Sequence, residues 1–385
     1  MFSPNCSPRS LYVHWPFCPY KCNFCPFVAI SGHENYFEKY HQALLREITE
    51  HISSQQLLEP LETVFMGGGT PSIYPVSLLL DMLGILNNRV GFSPDIEITI
   101  EVNPGTVTQE KLEAWYNGGI NRLSIGVQSK NDAVLKSLNR HQKFEDVLRL
   151  LKDAQKIFSN ISVDLIVGLP GVSDLEWKEL VNHVISWPIM HVSLYFLTVH
   201  EDTPLYFGVK QQKIQLPSDD TVVDLYNWTR EKFESAGFYQ YEISNFARTG
   251  FQSKHNTVYW DRKPYKGVGL GACSFDGESR FQNEKNLLKY IDNLENNSSV
   301  IVFSEKLTSK QIWLEKLMLG LRQSAGISLD SIILELSERE EINLRRTIDM
   351  LVQEKFVCLS KPDYLKLTPE GLVLSNEIIV KLSDI

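Results

Sequence analysis

The chain has 385 residues, 43% hydrophobic and 22% charged, enough for more than one domain and a sizeable core. Its formal net charge of −9 argues against a nucleic-acid binder, and no run approaches the ~20 apolar residues that span a bilayer. Met1–Cys6 lacks the charged-then-apolar pattern of a secretory signal, and six cysteines in so long a chain do not suggest a disulfide scaffold, so the expected compartment is the reducing cytoplasm.

Short apolar strands alternate with amphipathic helical patterns from the N-terminus to about residue 238. Strands are expected at Leu11–Trp15, Thr63–Met66, Ile96–Val102, Arg122–Gln128, Ser162–Val167 and His191–Leu197. Helices are expected between them at Tyr36–His51, Pro75–Asn88, Gln109–Tyr116, Phe144–Phe158 and Leu175–Trp187, with another at Asp219–Ala236. Helices that join successive strands imply a parallel sheet. Leu123, Ile125 and Val127 share one face of their strand, whereas Ser124, Gly126 and Gln128 share the other. A sheet covered on both faces would read as continuous apolar runs; one small or polar face suits a barrel, or a barrel fragment, around an enclosed ligand space. Glu101 and Gln128 lie near the C-terminal strand ends, where parallel α/β folds place their chemistry.

The pattern changes near residue 238. Tyr239–Phe246 and the Gly267–Gly271 segment interrupt the alternation. Helical patterns follow at Ile312–Leu321, Ser328–Leu336 and Glu341–Glu354, then a ribbon of Val357–Leu359 and Leu365–Leu367, and a last helix near Pro369–Val380. Helices followed by a small ribbon suggest a winged-helix-like region. Glu335, Glu338, Glu340 and Glu341 make it a packing or partner-docking unit rather than a DNA reader. The expected division is 1–238, 239–310 and 311–385.

Three of the six cysteines fall within eight residues, as Cys18-Pro-Tyr-Lys-Cys22-Asn-Phe-Cys25 just after the first strand. Thiolates at this spacing suit zinc or an iron–sulfur cluster. A structural zinc site asks for four ligands, which His14 or His33 could complete; a cluster with one iron free of protein ligands needs only the three thiolates.

This C-x3-C-x2-C run resembles that of radical S-adenosylmethionine (SAM) proteins. The resemblance implies a partial (β/α)6 barrel in which Cys18, Cys22 and Cys25 hold a [4Fe-4S] cluster and SAM chelates the fourth iron. In that family a one-electron reduction through the cluster, fed by a donor such as a flavodoxin or ferredoxin, can cleave SAM. Gly67-Gly68-Gly69-Thr70-Pro71, Glu101-Val-Asn-Pro, Gly126-Val-Gln128, Asn139-Arg140-His-Gln142 and Asp164-Leu-Ile-Val-Gly-Leu-Pro170 narrow the likeness. Their order is similar to that of the oxygen-independent coproporphyrinogen III oxidase group. It implies SAM contacts from Tyr12, Phe24, Gly68, Gly69, Thr70, Glu101, Gln128, Arg140 and Asp164. By its residues alone, Arg140 suits a surface ion pair as well, and Asp164 a satisfied structural carboxylate.

Two departures separate the chain from the oxidases. Phe27 stands where they carry a fourth cysteine, and only 17 residues precede Cys18 where they have a substrate-binding extension. Both resemble the HemW-type haem chaperone branch, whose signature is similar to His255-Asn-Thr-Val-Tyr-Trp260, although that branch usually has Asp where this chain has Pro26. The resemblance implies haem as a further ligand, with His255 on its iron, and transfer to an acceptor protein. A hydrogen-bonded core histidine accounts for His255 as well. The other function implied is oxidative decarboxylation of coproporphyrinogen III. No nucleic acid is expected as a partner and no anchor is evident, though a membrane-bound acceptor would bring peripheral membrane contact.

Overall fold

The computed structural model describes residues 7–384 except 55, 58 and 362; the expectation for Met1–Cys6 lies outside them. Six parallel strands form the centre of a nine-stranded sheet: β1 (Ser10–Trp15), β2 (Leu61–Gly68), β3 (Phe92–Val102), β4 (Arg122–Gln128), β5 (Asn160–Val167) and β6 (His191–Phe196). They are hydrogen-bonded in chain order, all parallel, so each pair is joined by a crossover. Three short strands extend the sheet past residue 238. β7 (Tyr239–Glu242) and β8 (Asn245–Ala247) add antiparallel beyond β6, and β9 (Lys266–Val268) pairs parallel with β1 at the other edge.

The crossover helices are α1 (Phe37–Ser53), α2 (Val76–Arg89), α3 (Gln109–Asn117), α4 (Asp132–Ser137), α5 (Phe144–Ala154) and α6 (Asp174–Val184), followed by α7 (Pro204–Lys210) and α8 (Asp219–Ser235). Local chemistry starts them where the sequence indicates. Ser173 and Glu176 form a reciprocal capping box at α6, and Thr108 and Ser218 cap α3 and α8 by accepting a backbone N–H. The alternation of the strands decides what faces the helices. Leu123, Ile125 and Val127 are fully buried in the main core, while Ser124, Gly126 and Gln128 line the enclosed side. α4 and α7 carry too few turns to show a period and were not expected.

Beyond β8 come α9 (Lys254–Trp260) and an antiparallel sheet of β10 (Cys273–Phe275), β11 (Ser279–Asn283) and β12 (Ile301–Lys306), with α10 (Leu287–Glu295) between the last two. The C-terminal part has its own core, including Trp313, Leu317, Leu344, Ile348, Leu365 and Ile378. It comprises α11 (Ser309–Leu321), α12 (Leu329–Ile333), α13 (Glu338–Gln353) and two helices that break the expected last one, α14 (Pro369–Val373) and α15 (Ser375–Ser383). Its sheet pairs β13 (Ile327–Ser328) and β14 (Val357–Lys361) on either side of β15 (Tyr364–Leu367). Among the described residues, no helix is long and apolar enough to cross a membrane.

Candidate functional site

The cysteine loop leaves β1 at Pro16 and returns as Ile30–Ser31, which pairs with Phe17–Cys18. The two helices missing from the sequence reading hold it. Asn23 N–H donates to Leu138 O at the end of α4 (2.9 Å), and Asn23 O accepts from Leu205 N–H in α7 (3.0 Å). The Asn139 side chain donates to Lys21 O (2.8 Å). Cys18 and Cys22 are buried and Cys25 half-buried, all on the wall of one cavity of about 390 Å³ at the C-terminal ends of the strands. That volume lies in the range of small-molecule sites, about 300–1,000 Å³.

Burial pushes the Cys18 thiol up to about 11 and raises Cys25 as well. Free of metal, these side chains are therefore thiols, and cluster assembly must displace protons. Two side chains donate to cysteine sulfurs, the first of them holding Cys18 down against burial. Thr70 Oγ1 donates to Cys18 Sγ (3.2 Å), and Arg140 Nη1 donates to Cys22 Sγ (3.7 Å).

Eight of the expected SAM-contacting residues meet the cysteines in this cavity: Phe24, Gly68, Gly69, Thr70, Glu101, Gln128, Arg140 and Asp164. Gly68 ends β2 at φ +112°, a conformation that disfavours any side chain, and a Cβ there would lie 2.5 Å from the His14 ring. Its N–H points at Glu101 Oε2 (3.1 Å). Burial, then the Asp164 carboxylate, pushes Glu101 up to about 8; burial also raises Asp164, against bonds from Ser193 and Ser124. A register shift between Gly126 and Gln128 interrupts the pairing of β4 with β5, and Gln128 takes the left-handed φ of +64° at the cavity wall.

Arg140 is not in a surface ion pair. Its Nη2 donates to Gly126 O (2.9 Å), and its guanidinium lies so close to Gly126 that a Cβ there would be 2.6 Å from Nη2. Gln128 Oε1 and Arg140 Nε are buried without a hydrogen-bond partner. Orphaned polar atoms in a concave, thiol-lined space mark a site shaped for a polar ligand.

Two expected residues lie elsewhere. Tyr12 is beside Gly67, its ring stacked on Phe65 and its hydroxyl 3.0 Å from His14 Nδ1. His14 Nε2 is 2.8 Å from Val28 O, so neither ring nitrogen is free for zinc. His255 lies near the opposite, N-terminal ends of the strands. Its Nδ1 is 2.7 Å from Thr63 Oγ1 and its Nε2 2.7 Å from the Tyr259 hydroxyl, and its ring stacks on Phe65. Burial pushes it down to about 3. In this arrangement the neutral ring is a hydrogen-bonded core histidine with no nitrogen open to iron. Glu97 fixes it from below, accepting the backbone N–H groups of Lys254 and His255 (both 3.1 Å) at the start of α9.

Sequence reasoning missed Tyr20, Asn103, Ser124, Tyr195, Phe196 and His200 on the cavity wall. Ser124 and Asn103 were within reach, since one shares the polar face of β4 and the other follows Glu101. Tyr195 and Phe196 are the last residues of β6, and His200 depends on where the chain turns after it.

Residues 12–184 match the model of the radical SAM superfamily. The protein named Heme chaperone HemW from Synechocystis is 32% identical over 97% of this chain and 96% of its own length. Its namesake from Bacillus subtilis is 32% identical over 96% of this chain and 98% of its own. Coproporphyrinogen III oxidase (HemN) from Escherichia coli, a solved radical SAM enzyme, has a TM-score of 0.84 at 24% identity, covering 98% of this chain and 91% of that one; this likeness concerns the fold. The superfamily implies a [4Fe-4S] cluster and SAM. The residues here fit both, with three thiols on one wall and, beside them, a carboxyl pair, a half-buried glycine edge and two unsatisfied polar atoms. When bound, that pair of cofactors would supply one-electron cleavage of the SAM sulfonium; Cys18, Cys22 and Cys25 would hold the cluster, and Glu101 and Asp164 would face a cationic ligand beside it. The chain belongs to the radical SAM superfamily and, within it, to the family of these full-length HemW relatives.

Proposed function

We propose that the chain is a haem carrier: it binds a [4Fe-4S] cluster, SAM and haem, and passes the haem to an acceptor protein. The end-to-end similarity to proteins named haem chaperones carries this reading. Phe27 supports it, because it occupies the position of the fourth oxidase cysteine and faces the cavity with a side chain that binds no iron. Cys18, Cys22 and Cys25 hold the cluster. Glu101, Gln128, Arg140 and Asp164 contact SAM beside it, with Phe24 and the Gly68–Thr70 edge. Tyr12 acts from behind Gly67, and a flavodoxin or ferredoxin serves as electron donor.

The test uses anaerobically reconstituted protein loaded with one equivalent of haem. Retention through gel filtration, followed by transfer of the Soret band to an added apo-haem protein, is the expected result. Formation of protoporphyrinogen from coproporphyrinogen III, given SAM and reductant, together with failure to retain haem, would replace this reading with the oxidase.

A further inference from the structure

Both ring nitrogens of His255 are engaged within the core, so a histidine with a free ring is better placed to meet haem iron. The wall of the cluster cavity offers one. His200 follows β6 by four residues, and its backbone is fixed because His200 O accepts from Thr203 N–H (3.0 Å) and Thr203 Oγ1 (2.6 Å), the residue that caps α7. Its imidazole is exposed and makes no hydrogen bond, ion pair or ring contact with any described residue. A pinned backbone with a free ring on a cavity wall is what an axial ligand requires, since little ordering remains when the metal arrives.

The surroundings match a metalloporphyrin in two further respects. Large aromatic side chains stand exposed along the same wall. Phe27, 63% exposed, rises from the cysteine loop, and Tyr195 and Phe196, 42% and 38% exposed, end β6. Exposed rings brought together from two segments of one cavity wall are costly in water and suit the faces of a planar apolar ring. Lys21 is on the same wall, exposed, its ammonium in no hydrogen bond or ion pair with a described residue. It offers a charge partner for a propionate. We infer that haem docks across the mouth of the cluster cavity, its iron ligated by His200, its ring packed on Phe27 and Phe196 and a propionate paired with Lys21.

This site rests on the proposed haem-carrier function and gives it a location. A position at the cavity mouth leaves one porphyrin face accessible, as handover to an acceptor needs. It also places the haem next to the cluster cavity, where an occupant of that cavity can influence haem release.

The test is haem titration of cluster-loaded protein, followed by Soret absorbance, with the iron ligand identified by EPR of the ferric form and by the iron–histidine stretch of the ferrous form. Sulfide content confirms that the cluster is present, because haem adds iron of its own. In His200→Gly the histidine signature should vanish and the apparent Kd should rise at least tenfold; added imidazole should restore the spectrum. Phe27→Ala should weaken binding roughly threefold to tenfold with the signature intact. Wild-type protein that binds haem, with the same histidine signature in His200→Gly, would overturn the assignment and leave the carrier reading standing. Wild-type protein that binds no haem would overturn both.

Discussion

The two ends of the central parallel strands carry buried polar clusters, and they differ in what is left open to a ligand. At the N-terminal end, His255 is closed between Thr63 and Tyr259, and Glu97 takes up the first N–H groups of α9. At the C-terminal end, Gln128 Oε1 and Arg140 Nε have no partner, the Cys18 and Cys25 thiols are raised by burial, and Gln128 sits at a left-handed φ. Both ends are rich in polar residues, and the HNxxYW motif at the first is as conspicuous in sequence as the cysteine motif at the second. Orphaned atoms as such do not separate them, since Arg122 Nε at the start of β4 is also buried without a partner; those at the C-terminal end line a cavity together with three thiols, whereas the His255 ring is fully bonded. A closed network orders the fold, whereas an open one awaits a ligand.

The largest expected effect comes from the open end. In Cys22→Ser, two thiolates cannot hold a cubane, so iron and sulfide content should fall to background together while the circular dichroism of the helices is unchanged. A variant with full iron and sulfide would sink the cluster assignment. Next comes Arg140→Ala. It removes the Gly126 contact, the bond to Cys22 Sγ and the buried, partnerless Nε on the cavity wall. SAM affinity should fall about tenfold to a hundredfold, in keeping with a lost charge-assisted hydrogen bond of about 1.5–3 kcal/mol, with the cluster retained. Calorimetric titration with SAM would expose an Arg140 that serves structure alone, because its affinity would then be unchanged.

The closed end should respond in the opposite way. His255→Ala leaves Thr63 Oγ1 and the Tyr259 hydroxyl buried without their partner and opens a cavity beside Phe65. A loss of about 2–4 kcal/mol in stability is expected, read as a lower denaturant midpoint, with SAM affinity unaltered. If stability were untouched and haem alone were lost, the distinction drawn between the two ends would fail.

How much of this the sequence carried follows from how local each signal is. The six central strands and their crossover helices are written in short-range periodicity, and β4 was read to the residue. The cysteine loop was legible as a motif, but not what holds it. Asn23 is fixed by the end of α4 and the start of α7, helices of six and seven residues that show no amphipathic repeat. Arg140 suited a surface ion pair because nothing near it in sequence reveals that its guanidinium reaches Gly126. His255 was undecided for the same reason: its partner Thr63 is 192 residues away. β7, β8 and β9 looked like an interruption because their pairing is with distant strands and only the folded sheet recruits them. Chemistry at strand ends was therefore readable, and hydrogen-bond closure was not.

The smallest effect concerns protons at the open end. Burial and the neighbouring Asp164 carboxylate push Glu101 up to about 8, above the ordinary carboxyl value of 4.5. The folded ligand-free protein therefore holds a proton there that the unfolded chain releases, across the window from about 4.5 to about 8. Stability from this group is complete below that window and is lost as pH rises through it, because the unfolded state then binds fewer protons than the native one. Asp164 and Glu242, the latter pushed by burial up to about 7, act in the same direction; His14 and His255, both lowered by burial, act in the other at more acidic pH. The contribution of Glu101 is isolated by comparing melting temperatures of wild type and Glu101→Gln from pH 5 to pH 9 without ligand. The neutral amide keeps an acceptor for the Gly68 N–H but cannot ionise, so the variant should lose less stability than wild type as pH rises. A SAM ammonium bound at the same carboxylate should favour its ionised form, so ligand binding to wild type should release a proton near pH 7 and binding to the variant should not. Parallel melting curves and equal proton release would mean that Glu101 is already ionised in the empty cavity, and the open end would then be closed by a counter-charge.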